Sequence, residues 1–432
     1  MLKNTGRALL PVLLLLLLSL PIAAESFDRD RLAGARAALL QAADSGDILF
    51  AWNPDRPLAP ASLTKLVTLH LIYNRITAEK LGVGQVVAIP PYAAWRSQEA
   101  GSSLMFLEPG QRVTVGELMQ GLAVSSGNDA AAALAGFVAG SVSKFVELMN
   151  LEMGRLGYST LRFVDPSGLS AGNSITAREF AAFCGDYIRL HPAALKNLHA
   201  RKSFTYPLPD NLPPAAAGEA AREGGDLPAW PAPGSSPPPI RQNNFNLLLW
   251  EYPGLDGLKT GYIDEAGYNI AATARRNGMR LIAVVLGIQA PDHLRGGRLR
   301  ADAAAALLDY GFENFITLRP EPPPLKEARV WKGRRRTVTP VLAEELVFTI
   351  PRALQTDKLT FETRLESRLI APVQAGRAVG ELTIRAGGRV VRRCMLLAGS
   401  DVERGGFFRR LIDSLRLHLD AFLDRLSGGR RR

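Results

Sequence analysis

A serine and a lysine three positions apart are the first residues in this sequence with the types and spacing for covalent chemistry. Ser62 and Lys65 come after a proline-containing loop and stand at the start of a helical run, residues 66–73. Positions i and i+3 share a helix face, so the two side chains can meet. A serine hydroxyl needs a neighbouring base to become a nucleophile, and a desolvated lysine amine can be that base. Backbone N–H groups at a helix start can also stabilise an oxyanion.

The spacing alone is not specific, because Ser141 and Lys144 repeat it in the same chain. The first pair differs because two further motifs come after it. Ser126-Gly127-Asn128 lies in a loop between two helical stretches, and Lys259-Thr260-Gly261 lies in a strand-like region. Ser-x-x-Lys, Ser-Asp-Asn and Lys-Thr-Gly occur together in class A β-lactamases and penicillin-binding proteins. Here the three motifs keep that order, and only the middle residue of the second differs.

The sequence resembles the low-molecular-mass penicillin-binding proteins of the D-alanyl-D-alanine carboxypeptidase family. The resemblance runs from about residue 30 to the terminal helix. Beyond the three motifs it includes four blocks, which are residues 101–107, 126–130, 256–261 and 266–269. It implies a serine-type enzyme that removes the terminal D-alanine from peptidoglycan stem pentapeptides and is acylated by β-lactams.

The family also implies roles for the residues around the nucleophile. Ser62 would be acylated by the carbonyl of the penultimate D-Ala, and water would then release the shortened peptide. Lys65 would be the base for acylation. Ser126 would relay a proton towards the leaving amine, and Asn128 would hold Lys65 and the substrate backbone.

Substrate binding is implied for residues later in the chain. Lys259 and Thr260 of the Lys-Thr-Gly motif, which ends at Gly261, would bind the terminal carboxylate of the substrate. Backbone N–H groups of Ser62 and Tyr262 would form the oxyanion hole. Arg295 falls near the position of a second family arginine that helps to hold the carboxylate.

Two departures from the family pattern affect the rim of this site. Many members carry an Asn-Arg-Asn stretch before Lys-Thr-Gly, whereas this chain has Phe245 where the arginine stands. A proline-rich insertion, residues 207–240, lies just upstream, with ten prolines from Pro207 to Pro239. Proline removes backbone donors and restricts φ, so the stretch cannot be regular secondary structure. It is a passive surface loop or a lid.

The elements that must position these residues indicate an α/β (α+β) fold of the β-lactamase/transpeptidase-like type. Residues 35–53 predict a hairpin, and residues 268–274 and 279–288 predict two further strands. Between them, residues 115–138 and 144–156 have helical spacing. Strands at both ends of this region and helices in its middle predict one central antiparallel sheet flanked by helices.

The chain is expected to divide into four parts. Residues 1–24 have a basic start, a short apolar run and small residues before the cut, which predicts a signal peptide, with an uncleaved anchor as the alternative. Residues 25–319 form the carboxypeptidase domain, and residues 320–404 form a small all-β domain after a stiff proline linker. Residues 405–432 predict an amphipathic helix that lies on the membrane surface, with docking on its own domain as the alternative.

Composition excludes several other classes. The net charge of +11 accompanies no zinc-finger, basic-zipper or RNA-binding signature, so we expect no nucleic acid partner. The five histidines show no metal spacing, and we expect no metal or cofactor. The surroundings of Cys184 and Cys394 suit buried thiols. An exported protein on the periplasmic face of the cytoplasmic membrane fits the signal and the terminal helix together.

Two other functions remain open at the level of sequence. A serine β-lactamase shares the nucleophile and both lysine motifs, but it usually needs a glutamate on a loop for deacylation. Residues 165–169, Asp-Pro-Ser-Gly-Leu, resemble the carboxypeptidases instead. A catalytically slow peptidoglycan-binding or shape-maintaining protein would need a distorted site, because every reactive side chain is present.

Overall fold

The computed structural model describes residues 26–212 and 238–428. The chain forms two compact units. The first, called here the catalytic unit, comprises Glu25–Pro320 and Val347–Arg352. The second, called the C-terminal unit, comprises Glu321–Leu346 and Ala353–Arg432. The proposed signal segment, residues 1–24, lies outside the described residues.

Strands outnumber helices in the described ranges. The strands are β1 Ala37–Ala42, β2 Ile48–Trp52, β3 Val86–Ala88, β4 Arg112–Thr114, β5 Ser203–Tyr206, β6 Ile240–Asn243, β7 Leu255–Ile263, β8 Gly267–Arg276, β9 Met279–Ile288, β10 Phe315–Leu318, β11 Ala328–Trp331, β12 Thr337–Val338, β13 Pro340–Leu342, β14 Phe348–Pro351, β15 Leu359–Leu365, β16 Leu369–Ile370, β17 Ala378–Ala386 and β18 Arg389–Ala398. The helices are α1 Lys65–Thr77, α2 Val115–Gln120, α3 Asn128–Ala139, α4 Val142–Leu156, α5 Ala177–Leu190, α6 Leu248–Glu251, α7 His293–Asn314 and α8 Phe407–Gly428.

The central sheet of the catalytic unit joins both ends of its segment, as predicted. Its strand order is β2-β1-β9-β8-β7, and every pairing is antiparallel. The predicted hairpin and the two later strands are confirmed as β1 with β2 and as β8 and β9. Strand β7, which carries the Lys-Thr-Gly motif, lies at the sheet edge, and among the described strands it pairs with β8 alone.

Helices cover both faces of this sheet. Leu39, Ile282 and Val284 belong to the main hydrophobic core, together with buried residues of α1, α3, α4 and α5. Neighbouring residues in a strand point to opposite faces. On the other face a side chain at Gly311 of α7 would overlap Leu281, so α7 packs directly on the sheet. This explains why β1 and β9 are buried along their whole length.

The helical pattern over residues 115–138 is broken in the structure. Helix α2 begins with a capping box between Thr114 and Glu117. A π-helical turn, Gly121–Ser125, comes next, and Ser126 then adopts a left-handed conformation with φ of 61°. Helix α3 starts only at Asn128, whose N–H donates to Ser103 O at 2.8 Å. The break between α2 and α3 therefore coincides with a contact to a residue far away in the sequence. The spacing of apolar residues within 115–138 carries no information about that contact.

The proline-rich insertion connects two paired strands. Strands β5 and β6 run antiparallel, from Ser203 opposite Asn243 to Tyr206 opposite Ile240. Residues 213–237 of the predicted insertion lie outside the described residues.

No single helix in the described ranges is long and apolar enough to cross a membrane, although the bent pair α3 and α4 meets both criteria when joined.

The C-terminal unit is built from strands and ends in one helix, as predicted. Its sheets have the orders β13-β18-β17-β15 and β12-β11-β16. Strands β17 and β18 are joined by the turn at Gly387 and Gly388, both with positive φ. Cys394 is buried here and Cys184 is buried in the catalytic unit, and both are free thiols, which confirms the prediction.

Candidate active site

Ser62 stands in a 3-10 turn, Ala61–Thr64, immediately before α1. Ala61 has a φ of 50°, a conformation that is costly for a residue with a side chain. The loop at residues 165–170 packs directly against this turn, because a side chain at Gly168 would overlap Ala61 O. The strained turn leaves Ser62 partly exposed while its neighbours Leu63 and Thr64 are buried.

Lys65 is fully buried and its amine has three oxygen neighbours. Nζ lies 2.9 Å from Ser62 Oγ, 2.7 Å from Asn128 Oδ1 and 2.6 Å from Ser167 O. A neutral amine has two N–H donors and one lone pair. The Asn128 and Ser167 oxygens can only accept, so they take the two donors and direct the lone pair at the Ser62 hydroxyl. This is the geometry of a base that removes the Ser62 proton.

The electrostatics of the buried site favour that neutral form. Burial lowers the pKa of Lys65 to about 7, although the nearby Asp165 and Asp129 carboxylates act in the opposite direction. Asp129 is itself fully buried, and burial raises its pKa. Its carboxylate accepts backbone N–H bonds from Met105 and Leu107 at 2.8 and 3.0 Å. Asp129 therefore ties the 101–107 segment to the start of α3.

Ser126 is buried, and its hydroxyl has no hydrogen-bond partner among the described residues. The neighbouring Gly127 is required by packing, since a side chain there would come within 2.7 Å of Asp129 Oδ1 and 2.9 Å of Met105 N. The turn between α2 and α3 therefore has no room for a side chain at position 127. An unpaired buried hydroxyl is costly in a folded protein, so Ser126 is available for a substrate group.

Strand β7 approaches the nucleophile through Gly261. A Cβ at this position would lie 2.7 Å from Pro60 O and 2.9 Å from Ser62 N, so only glycine fits. Thr260 and Lys259 are buried, and the Lys259 amine donates to Thr260 O at 2.9 Å. The structure thus brings the third motif against the first, across 197 positions of sequence counted from Ser62 to Lys259.

Lys259 lacks a counter-charge among the described residues. Burial, followed by the neighbouring Lys65 and Arg300 cations, lowers the pKa of Lys259 well below its usual value. An anion bound beside the amine would offset these effects. Tyr262, whose backbone N–H is expected in the oxyanion hole, donates its hydroxyl proton to Asp264 at 2.6 Å. Its ring packs at an angle of 30° against Tyr268, with 4.2 Å between ring centroids.

The arginine beside this strand is Arg300, and the expectation for Arg295 requires correction. Arg295 is exposed, and within the described ranges only its backbone N–H makes a hydrogen bond, to Asp292. The buried Arg300 donates to Gly261 O at 3.2 Å and to Phe245 O at 3.4 Å. Helical spacing contained the signal, because Arg300 shares the buried face of α7 with residues three, four and seven positions later.

Phe245 stands where many family members have an arginine. Arg300 links this position to β7, because it donates to both Phe245 O and Gly261 O. Its side chain is 48% exposed, so an aromatic surface and not a cation borders this side of the cleft. Asn244 and Asn246 are buried and hold the local backbone, with Asn246 Nδ2 donating to Gly257 O at 3.4 Å. The asparagines of the stretch are therefore structural, and only its middle residue faces solvent.

Residues 165–170 form a loop that the sequence did not identify as part of the catalytic centre. Asp165 Oδ1 accepts the N–H groups of Ser167 and Gly168, both at 2.7 Å, and Oδ2 accepts that of Ser170 at 3.0 Å. These bonds turn the Ser167 carbonyl towards Lys65. The Asp-Pro-Ser-Gly pattern was a usable signal, because an aspartate commonly caps a turn in this way.

A second buried base lies behind β7. His199 Nδ1 is 3.0 Å from Leu258 O, so it carries the proton there, and Nε2 accepts from the Tyr187 hydroxyl at 2.8 Å. Burial lowers the pKa of His199 to about 4. Its neutral ring supports the residue before Lys259 without adding a further positive charge to the site.

The second Ser-x-x-Lys match has a purely structural position. Ser141 is the N-cap of α4, and its hydroxyl accepts from the backbone N–H of Lys144 at 3.2 Å. The side chain of Lys144 is exposed. Identical spacing therefore produces a buried base at one site and a helix cap at the other.

Comparison with known proteins agrees with this geometry. The family model for D-alanyl-D-alanine carboxypeptidase matches residues 25–212 and 236–290, and that for the penicillin-binding protein 5 C-terminal domain matches residues 319–404. The chain is 34% identical over 385 residues to the D-alanyl-D-alanine carboxypeptidase DacC of Escherichia coli, covering 88% of this chain and 87% of that protein.

Solved structures show the same relationship. Penicillin binding protein 5 from Haemophilus influenzae superimposes with a TM-score of 0.73 at 29% identity, covering 89% of this chain and all of that one. Penicillin-binding protein D2 from Listeria monocytogenes, solved in a cefotaxime-bound form, has a TM-score of 0.51 at 26% identity and covers 64% of this chain and 97% of its own. With the motifs assembled as described, the chain belongs to the D-alanyl-D-alanine carboxypeptidase family.

Proposed function

We propose that this chain removes the terminal D-alanine from peptidoglycan stem pentapeptides through an acyl-enzyme on Ser62. The observation that carries the proposal is the 2.9 Å contact between Ser62 Oγ and a Lys65 amine whose pKa is about 7. Lys65 accepts the Ser62 proton while the Ser62 oxygen attacks the carbonyl carbon of the penultimate D-Ala. Backbone N–H groups of Ser62 and Tyr262 stabilise the oxyanion.

Collapse of the tetrahedral adduct completes acylation. The C–N bond breaks, and the nitrogen of the leaving D-alanine takes up a proton through the Ser126 hydroxyl, which Lys65 resupplies. Water then adds to the Ser62 ester, with Lys65 as base, and releases the shortened peptide. The unpaired Ser126 hydroxyl supports this relay, because it has no competing partner among the described residues.

Recognition of the terminal carboxylate depends on the cations near β7. Lys259 and Arg300 are both buried, and burial lowers the pKa of each. A carboxylate beside the Lys259 amine and the Thr260 hydroxyl supplies the missing negative charge and a hydrogen-bond acceptor. We therefore place the substrate terminus here and assign Arg300, not Arg295, as the supporting arginine.

β-Lactams fit the same first step, since Ser62 would open the strained amide and remain acylated. Rapid deacylation, as in a β-lactamase, would need a further base. On the loop at residues 165–170 the one acidic residue is Asp165, whose oxygens already accept backbone N–H groups. The slow, silent alternative is opposed by the intact hydrogen bonds that join Lys65 to Ser62 and to Asn128, in which the amine accepts from Ser62 and donates to Asn128.

The test compares labelled penicillin binding and D-alanine release from a D-Ala-D-Ala pentapeptide. Wild type should do both, and Ser62→Ala should do neither. Ser141→Ala is the matched control, because it removes a serine from the same sequence pattern at a helix cap, and it should behave as wild type. Labelling without D-alanine release would favour the silent protein, and rapid loss of the label would favour the β-lactamase.

We also propose that the protein is exported and lies on the periplasmic face of the cytoplasmic membrane through α8. The part of its apolar stripe whose side chains are described, up to Leu419, is exposed, with Phe408 78%, Leu415 64% and Leu419 57% accessible. Within that same part, Asp413 is buried and accepts the N–H of Lys332 at 2.7 Å. The polar side of α8 therefore contacts its own unit, and the apolar side is left for another surface, as an interfacial helix requires.

The anchor is tested by fractionation. Deleting residues 405–432 should move the protein to the soluble periplasmic fraction. Leu415→Glu should weaken membrane binding, whereas His418→Glu, which adds the same charge beside the stripe, should have a smaller effect. Unchanged membrane association after the deletion would assign the anchor to the N-terminal segment.

A further inference from the structure

The turn that carries Ser62 is strained, so its surroundings have to hold it in place. Ala61 in this turn has a φ of 50°, and such a backbone persists only where neighbouring structure fixes it. Before the turn, Leu58 pairs with Ile175, because the N–H of each donates to the carbonyl of the other at 2.9 Å. Two positions before Ile175 stands Asn173, which has no role in the proton transfers of the proposed reaction.

Asn173 is almost fully buried, and its side-chain amide makes four hydrogen bonds. Oδ1 accepts the backbone N–H groups of Val164 at 2.7 Å and of Asp165 at 3.2 Å. These two donors identify the oxygen of the amide, so Nδ2 points the other way. Nδ2 donates to Asp165 O at 3.2 Å and to Thr64 Oγ1 at 3.0 Å. Every donor and acceptor of this amide is therefore used.

The four bonds connect two segments that both reach the catalytic base. Thr64 is the residue before Lys65 and is fully buried in the turn. Asp165 begins the loop whose Ser167 carbonyl accepts from the Lys65 amine at 2.6 Å. Asn173 thus ties the segment that carries the amine to the segment that carries one of its acceptors. None of its hydrogen bonds is to Lys65 itself, so any effect on the base passes through these neighbours.

We propose that Asn173 is a positioning residue for the acylation of Ser62. Its bond to Thr64 fixes the turn against the loop, and the Ser167 carbonyl then keeps one N–H of the Lys65 amine. The lone pair of the amine stays directed at the Ser62 hydroxyl as a result. The inference rests on the proposed function, in which Lys65 is the base. Proton transfer depends on this direction, whereas binding of the substrate carboxylate at the cations near β7 does not.

The test removes the bond from the side of Thr64. Thr64→Val keeps the shape of the side chain and leaves the Asn173 N–H without an acceptor, whereas Thr64→Ser keeps the hydroxyl. With a D-Ala-D-Ala pentapeptide, kcat for D-alanine release should fall about tenfold in Thr64→Val, the effect of one buried hydrogen bond. KM should stay within about twofold, because ground-state binding is untouched. Thr64→Ser should retain the kcat of wild type.

Direct removal of the amide should have a larger effect. Asn173→Ala breaks all four bonds, and kcat should fall about 100-fold, as a misplacement of about 1 Å can cause. Asn150→Ala is the matched control. Asn150 Nδ2 donates to Phe163 O at 2.7 Å and Oδ1 accepts the N–H of Phe163 at 3.0 Å, and none of its hydrogen bonds reaches the Ser62 turn. This variant should lower stability in urea and leave kcat unchanged.

The outcomes separate the role of Asn173 from the proposed function. A folded Thr64→Val with the kcat of wild type would refute the role of Asn173 alone, and so would a Thr64→Ser that loses as much as Thr64→Val. An equal fall of kcat in Asn150→Ala and Asn173→Ala would overturn it too, because the effect would then be a general loosening of the loop. Should Asn173→Ala not fold, the two Thr64 variants decide. Folded wild-type enzyme that releases no D-alanine would instead refute the proposed function.

Discussion

The rate of Ser62 acylation should titrate with Lys65. Burial lowers the pKa of Lys65 from 10.5 to about 7. At pH 7 about half of the enzyme then holds a free amine, against about one in 3,000 for an ordinary lysine. The difference corresponds to about 5 kcal/mol in favour of the reactive form, on the usual conversion of pKa shifts to free energy. Among the hydrogen bonds of the described residues, the Lys65 amine is the one group within 3 Å of Ser62 Oγ that can accept the Ser62 proton.

The perturbation is Asn128→Asp, which keeps the shape of the residue and places a carboxylate 2.7 Å from Nζ. An opposite charge at this distance raises the pKa of an amine by roughly 1–3 units. The second-order rate of acylation by a chromogenic β-lactam, measured from about pH 5 to about pH 11, should rise about tenfold per unit in wild type below pH 7 and level off above it. In Asn128→Asp the midpoint should move to about pH 8–10.

This result discriminates Lys65 from Lys259, whose pKa is also lowered. Asn128 bonds to Lys65, so a shift caused by Asn128→Asp identifies Lys65 as the group that titrates. A wild-type rate that is flat across this range would refute the assignment of Lys65 as the base. A midpoint that stays in place in Asn128→Asp, with the variant folded, would assign the titration to another group.

Single contacts elsewhere in the catalytic unit support three other predictions. Gly261→Ala forces β7 away from Pro60 and Ser62, so kcat/KM should fall about 10- to 100-fold. The control is Gly297→Ala, which should leave kcat/KM unchanged because a Cβ there meets nothing within 4 Å. Arg300→Ala should raise KM about tenfold or more through lost charge-assisted bonds, and Arg295→Ala should change it less than about twofold, by steady-state kinetics. The pKa of His199 is about 4 in the folded protein, below its unfolded value of 6.5. Between these two pH values the unfolded state binds more protons than the folded state, so the free energy of unfolding falls as the pH drops. His199→Gln should remove about 2 kcal/mol of this loss at pH 5, seen as a smaller decrease in Tm between pH 7 and pH 5; an equal decrease in both proteins would exclude His199.

Local sequence determined several features of this protein because they depend on nearest neighbours or on one-dimensional periodicity. The alternation and length of apolar runs predicted β1, β2, β8 and β9, and the three-residue spacing placed Ser62 and Lys65 on one side of a turn. The amphipathic stripe predicted α8. Motif order, read against the family, indicated the reaction class. These inferences required no knowledge of which distant segments meet.

Only the tertiary structure decided the features that depend on such meetings. Ser62-x-x-Lys65 and Ser141-x-x-Lys144 are the same pattern, and burial beside Asn128 and Ser167 makes the first lysine a base while exposure leaves the second inert. Arg300, and not Arg295, reaches β7 because it lies on the buried face of α7. Desolvation and counter-charge arise from segments far apart in the chain, and no local pattern contains the distances that set them.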